Sequence, residues 1–335
     1  MSVILKTAVI GVGMMGRNHA RVYAELPNVQ LVGVADANEK QARAISRKHN
    51  TNFYTDYVKL LDEQKPDAVT IAVPTVDHLD VALAVIERNI HLLIEKPIAF
   101  SIEEGKKIIE AARVADVKLM IGHIERFNPA IIALKKRLAN DELGRIFQID
   151  ARRQGPFPAR VKDVGVVIDL AVHDLDVMRY ITNVEVTRLF AETERQIHST
   201  HEDLLNGLVR LENGIVGTLT INWLTPTKIR ELHVTGERGM FRADYLTQDL
   251  YFFENAVAND DDGWERLKLL RGVSEGRMIR HVVKKKEPLR AELEAFIAAI
   301  RDEMPLTVTG EDGLIALQLA QSLVVSGINH QIIRL

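Results

Sequence analysis

The feature that most constrains this chain is TAVIGVGMMGRNHARV, residues 7–22. An apolar run leads into Gly11, Gly13 and Gly16, and a segment of helical character follows. In a phosphate-binding turn the first glycine permits the bend and the second lets the backbone approach a pyrophosphate. The third lets helix and strand pack closely. Backbone N–H groups and the helix dipole then hold the negative charge. Glycines at this spacing also occur in plain strand–helix turns, so a second feature must decide. Asp36 stands 20 residues past Gly16, at the end of the apolar run LVGVAD. Its carboxylate would accept hydrogen bonds from ribose hydroxyls and repel a 2′-phosphate, which predicts NAD in preference to NADP. Arg17 is a countervailing charge that would favour the extra phosphate. The alternative is a structural turn with Asp36 capping the next helix. The candidate cofactor turn therefore comprises Gly11, Gly13, Met14, Met15 and Gly16, with Asp36.

Short apolar runs continue at DAVTIAV (67–73), HLLIE (91–95) and KLMIG (118–122). Segments of helical period separate them, including 38–49, 76–89 and 101–115. Near-continuous apolar strands alternating with helices predict a doubly wound parallel sheet covered on both faces. After Asn128-Pro129 the pattern changes to a helix, a strand (IFQIDARRQ), a second helix over 166–181 and then β-rich sequence. LLNGLVRLENGIVGTLTINW (204–223) reads as a hairpin. Ile215, Leu219, Ile221 and Trp223 fall on one face of its second arm, and Val216, Thr218, Thr220 and Asn222 on the other, as in a half-exposed antiparallel sheet. A second turn is expected at Gly236–Gly239, and two helical patterns close the chain. At 335 residues the chain exceeds one typical core. The reading is an α/β fold with an NAD-binding domain over 1–124 and an α+β substrate and oligomerisation domain over 125–335. The last helix could pack back on the first domain.

The chain has no cysteine, which excludes catalytic thiols, disulfides and cysteine-ligated zinc. Its net charge of −3 does not suggest a nucleic-acid binder or a polybasic membrane anchor. The apolar opening reads as a first strand and not as a signal peptide, and no apolar run reaches membrane-span length. A soluble cytoplasmic protein is expected. His198 and His201 lack the context of a metal site and read as loop residues, so no metal is expected.

Three further constellations bear on chemistry. Glu95-Lys96-Pro97 follows the strand HLLI, and the carboxyl end of a strand in such a sheet faces the ligand crevice. A lysine there could hydrogen-bond a substrate hydroxyl; a surface lysine in a strand–helix loop is the alternative. Asp169 and His173 are four apart, so a helix would set them on one face. Histidine suits proton acceptance near neutral pH, and Asp169 could orient it or touch substrate. The alternative is a capped, partly buried histidine. ARRQGPFPARVKD (151–163) gathers Arg152, Arg153, Arg160 and Lys162. Arginine forks suit phosphate oxygens, as in a nucleotide diphosphate sugar, but a solvated basic edge reads equally well.

Together, the strand–GxGxxG–helix start, the EKP and the D-x-x-x-H-x-x-D element resemble the glucose–fructose oxidoreductase/inositol dehydrogenase/MocA family over essentially the whole chain. The resemblance implies that Lys96 and His173 are the catalytic pair and that Asp169 lines the substrate site. It implies that Pro74 and His78 form a turn beside the cofactor, with Glu95 and Pro97 at the bend below the nicotinamide. GHIERFNP (122–129) resembles the segment entering the second domain, which makes His123, Arg126 and Asn128 candidate pocket residues. Val166-Val167 stands where a glycine run is usual, and Ala171 where glycine is usual. Within the family, GVGMMGRNHARVY, GPFPAR and DVGVVIDLAVHDLDVMRYI are similar to the archaeal branch that oxidises the 3-hydroxyl of UDP-N-acetylglucosamine. A dehydrogenase of an uncharged polyol such as inositol and a non-catalytic NAD-dependent regulator are the alternatives. The half-apolar second sheet predicts a homodimer or homotetramer.

Overall fold

A computed structural model describes residues 4–158, 164–256 and 275–335. The chain forms two compact units, Met1–Phe127 with Glu287–Gln318, and Asn128–Lys286 with Leu319–Leu335.

The first unit is built on six parallel strands: β1 (Leu5–Ile10), β2 (Val29–Ala35), β3 (Asn52–Tyr54), β4 (Ala68–Ile71), β5 (His91–Glu95) and β6 (Leu119–Gly122). Their order, β3-β2-β1-β4-β5-β6, is that of a doubly wound dinucleotide fold, with the switch between β1 and β4. The connecting helices are α1 (Gly16–Glu25), α2 (Glu39–His49), α3 (Tyr57–Gln64), α4 (His78–Ile86) and α5 (Ile102–Val114). Local chemistry sets their ends. Asn38 accepts the N–H groups of Lys40 and Gln41 to start α2, and Asn50 closes it in a left-handed conformation. Ser101 accepts the Glu104 N–H to start α5, whose first turn also carries Glu103. The central strands are apolar on both faces because helices cover both; Val9, Ile71, Leu92, Leu93 and Ile94 are all fully buried. β3 and α3 carry too short a pattern to be read from sequence.

The division differs from the expected 1–124 and 125–335. Residues 287–318 return to the first unit as α8 (Pro288–Arg301) and the start of α9 (Gly310–Asn329). The reason is burial: Leu289, Leu293, Phe296, Ile297 and Leu317 share one core with the strands of the parallel sheet. Packing there is close enough that a Cβ on Gly313 would stand 2.7 Å from Ile121.

The second unit contains α6 (Pro129–Ala139), β7 (Ile146–Pro156), a wide π-helical turn at Val167–Ala171, α7 (Val172–Thr182) and β8 (Val186–Glu194). Next come β9 (Leu204–Leu211), β10 (Val216–Asn222), β11 (Leu224–Gly236), β12 (Gly239–Asp244), β13 (Asp249–Asn255), β14 (Glu275–His281) and β15 (Ile333–Arg334). They form a nine-stranded sheet in the order β14-β13-β12-β11-β7-β10-β9-β8-β15. Its pairings are antiparallel except β7 with β10. The β9–β10 hairpin turns through Asn213-Gly214, where Gly214 takes a φ of +89° that a side chain would strain. Ile215, Leu219, Ile221 and Trp223 are buried as their alternation required. α7 covers that face: a Cβ on Gly217 would stand 3.0 Å from the Met178 sulfur.

Candidate active site

In the first unit the candidate residues converge at the carboxyl ends of β1, β2, β4 and β5. The three glycines serve different needs. Gly11 has a φ of +84°, and a Cβ on it would stand 2.5 Å from the Ala72 carbonyl oxygen. A Cβ on Gly16 would stand 1.8 Å from the Gly11 carbonyl oxygen, so strand and helix meet here with no room for a side chain. Gly13 is exposed, and an added Cβ would meet nothing within 4 Å. Of the three, only Gly13 would leave an added side chain in open space, at the amino end of α1, the kind of position where backbone N–H groups favour a phosphate. Met14 and Met15 flank it and are exposed. Asp36 accepts the Val12 N–H at 2.9 Å and the Asn38 N–H at 2.8 Å. It therefore caps the glycine turn and the approach to α2 together, and each oxygen retains a lone pair for a ribose hydroxyl. The structural and cofactor readings of Asp36 are compatible. These residues fit a dinucleotide.

The Glu95–Pro97 corner continues β5. Glu95 is buried and accepts from His19 Nε2 at 2.7 Å and from the Lys96 N–H at 3.2 Å. Burial alone would push this carboxyl up. The His19 ring, the Lys96 charge and the Lys96 amide outweigh it and hold Glu95 below the usual carboxylate range. Lys96 is half-buried. The His78 ring lies between the Pro97 carbonyl (3.0 Å from Nδ1) and the Val73 carbonyl (3.1 Å from Nε2). Burial lowers its proton affinity against the pull of those carbonyls, so a neutral ring donates to one of them at a time. His78 thereby ties the exposed Pro74 turn to the Lys96–Pro97 corner. An open cavity of about 560 Å³, lined by Leu5, Asp62, Asp67 and His91 among others, lies at the opposite, amino-terminal ends of the strands. It contains none of these candidates.

In the second unit Asp169 lies in the π-helical turn and His173 in the first turn of α7, half-buried and buried respectively. A wide turn of this kind often marks a functional position in a helix. Its start is fixed by Glu202, whose carboxylate accepts the Val167 N–H at 3.1 Å and whose carbonyl accepts the Val166 N–H at 2.9 Å. Gly165 lies against it: a Cβ there would stand 2.0 Å from the Glu202 carboxylate, which would have to move.

The basic and pocket candidates separate. Successive side chains of a strand point to opposite faces, so Arg152 and Arg153 diverge on β7. Arg152 is exposed and pairs with Asp150. Arg153 is buried, grips Asp174 through two hydrogen bonds at 2.7 and 3.0 Å, and stacks 4.9 Å over the Tyr245 ring. That guanidinium is committed to the interior, not to a surface anion, and Asp174 is its counter-ion. Arg160 and Lys162 lie outside the described residues. Arg126 is buried and bonds Asp312 and the Thr307 carbonyl, which anchors the returning 287–318 segment. Asn128 caps α6 and donates to the Tyr245 carbonyl at 3.0 Å. His123 is buried. Arg126, Asn128 and Arg153 thus carry structural bonds that their motifs did not disclose. His19 and Glu202 carry no signal in the sequence beyond a polar residue on the inner face of α1 and an acid in a loop, and Asp174, an acid that reads as a solvated charge, is buried. Among the described residues no group of His, Cys, Asp or Glu could hold a metal, and no helix is long and apolar enough to cross a membrane.

Residues 5–123 match the profile of an oxidoreductase family with an NAD-binding Rossmann fold, and residues 131–242 match the GFO/IDH/MocA C-terminal domain. The chain belongs to the glucose–fructose oxidoreductase/inositol dehydrogenase/MocA family. As a member of it, the protein is an NAD-binding oxidoreductase. It is similar to UDP-N-acetylglucosamine 3-dehydrogenase of Acidithiobacillus ferrooxidans, with 29% identity over 92% of this chain and 93% of that one. The crystal structure of that enzyme superposes with a TM-score of 0.84 at 29% identity, over 96% of this chain and 97% of that one. Myo-inositol 2-dehydrogenase of Thermotoga maritima is 26% identical over 94% of each chain.

Proposed function

We propose that this family member oxidises a sugar hydroxyl to a ketone, and that its substrate is UDP-N-acetylglucosamine, at the 3-hydroxyl. The observation that carries the reaction is the Lys96 corner, set at the carboxyl end of β5 in the same unit as the bare Gly13 turn. The substrate rests on near full-length likeness to an enzyme named for that reaction. Gly13 and the amino end of α1 hold the pyrophosphate, Asp36 holds the adenosine ribose, and Pro74, His78, Glu95 and Pro97 shape the ground under the nicotinamide. When bound, NAD supplies the two-electron acceptor for the hydride that leaves the sugar carbon. Lys96 hydrogen-bonds and polarises the reacting oxygen. His173 accepts the hydroxyl proton, and Asp169 positions substrate or base. Of the basic segment, Arg160 and Lys162 are left to meet a diphosphate, with exposed Arg152 beside them in sequence.

A second reading, oxidation of an inositol, is favoured by the likeness to inositol dehydrogenases over nearly the whole chain. A purely regulatory NAD-binding protein has less support, because Lys96 and His173 are both present. NADH formation, followed spectrophotometrically across UDP-N-acetylglucosamine, its uronic acid, free sugars and inositols, separates them. Turnover confined to UDP-sugars is the expected result; turnover confined to inositols would replace this reading. We further propose that a second copy of the chain covers the open sheet face, where Leu208 is half-exposed. A monomeric mass by light scattering at micromolar concentration would refute that.

A further inference from the structure

Next to the Lys96 corner lies a buried acid that the proposed chemistry does not use. Glu292 sits on the inner face of α8, among Leu289, Leu293 and Phe296, and is fully buried. Neither of its carboxyl oxygens meets a hydrogen-bond donor among the described residues. Its electrostatic neighbours are the Glu95 carboxyl and the hydroxyl of Tyr23, which is itself bonded to Thr70 at 2.9 Å. The outward charges of α1 and α8 are satisfied elsewhere: Arg21 with Glu25, and Arg290 with Glu25 and Glu294. From the 124–127 turn Arg126 is held by Asp312.

Two buried carboxyls that feel each other's charge resist double ionisation, and the charge settles where donors are available. Glu95 has two donors, the His19 ring and the Lys96 amide; Glu292 has none. The Glu95 carboxylate is also wedged against the β6 backbone: a Cβ on Gly122 would stand 3.1 Å from Glu95 Oε2. Displacing that carboxylate displaces the Lys96 amide with it. A leucine or glutamine at 292 would fill the same space without the cost of a desolvated acid.

We propose that Glu292 is a positioning residue for Lys96, acting through Glu95: it keeps its proton, and so leaves one undivided negative charge to fix the Lys96 corner. This rests on the reading of Lys96 given above. When Glu292 loses that proton, two like charges face each other and the corner loosens. Burial, reinforced by the Glu95 charge, raises the Glu292 proton affinity well above the carboxyl norm, so the proton is held to a higher pH than an ordinary carboxyl allows.

The test has two arms on the full-length protein. In infrared spectra at neutral pH, the carbonyl stretch of a protonated carboxylic acid should be present in the native chain, absent from Glu292→Gln, and retained in Glu95→Gln. The alkaline fall of kcat should move up by at least one pH unit in Glu292→Gln, with KM for NAD unchanged and melting curves confirming a folded protein throughout. Identical carboxylic-acid bands in native and Glu292→Gln proteins, or superimposable pH profiles, would overturn the proposal. Glu292→Met takes the place of the glutamine variant should that fail to fold. If no sugar or polyol is turned over, the dehydrogenase reading fails, while the infrared arm still reports on Glu292.

Discussion

The two sheets place their candidate chemistry by opposite means. In the parallel unit helices cover both faces of the central strands, and the candidate polar groups sit where strands end. Gly11, Asp36 and Glu95 mark those ends and are held largely by backbone N–H groups and packing. In the nine-stranded unit one face is covered by α7, which carries His173 and, next in sequence, Asp174, the partner of Arg153 in a buried ion pair. The first arrangement depends on backbone geometry, the second on charge balance within a core. They should therefore break differently.

The largest effect should come from Lys96→Ala and His173→Ala, each of which should abolish turnover while NADH fluorescence titration shows cofactor binding intact. Full activity in either variant would remove that residue from the mechanism. Next, Asp174→Ala removes the charge and the two hydrogen bonds that Asp174 gives the buried Arg153 guanidinium. It should cost about 3–5 kcal/mol in chemical denaturation. A loss below about 1 kcal/mol would mean the Tyr245 ring and water compensate. In the parallel unit the glycines provide an internal control. Gly16→Ala drives a methyl into backbone and should cost about 1–3 kcal/mol. Gly13→Ala should leave stability within about 0.5 kcal/mol yet weaken NAD binding about tenfold, or about 1.4 kcal/mol. Equal behaviour of the two would erase the distinction between turn and cradle.

The last effect concerns pH. A carboxyl whose folded proton affinity is raised contributes stability that is complete below its ordinary value of 4.5 and is lost as pH climbs toward the raised value. Glu292→Gln should therefore melt above the native protein by a margin that widens from about pH 6 to about pH 9. A margin constant across that range would mean Glu292 is already ionised in the folded protein.

The same contrast explains what the sequence disclosed. Continuous apolar runs and fixed glycine spacing made the parallel sheet, the turn at Gly11–Gly16 and the partner Asp36 legible, because their requirements are local. The β9–β10 hairpin was legible for the same reason, through Asn213-Gly214 and strict alternation. Arg153 was misassigned to a surface anion site although its parity against Arg152 already separated the two; only the Asp174 contact shows which one turns inward. Arg126 and Asn128 sit in a recognisable motif, but their partners Asp312 and Tyr245 are 186 and 117 residues away in the chain. No local pattern reveals such partners. Glu292 reads as one acid on an amphipathic helix, and its burial follows only from where α8 packs.

That α8 and the start of α9 belong to the first core has a consequence during synthesis. A ribosome that has delivered residues 1–127 has produced the entire parallel sheet but not Leu293, Phe296 or Ile297, which complete its hydrophobic interior. The nascent cofactor unit must wait, with that apolar surface uncovered, while the whole intervening segment emerges. Order of synthesis and order of completion are therefore inverted, and the unit whose strands are made first is sealed almost last.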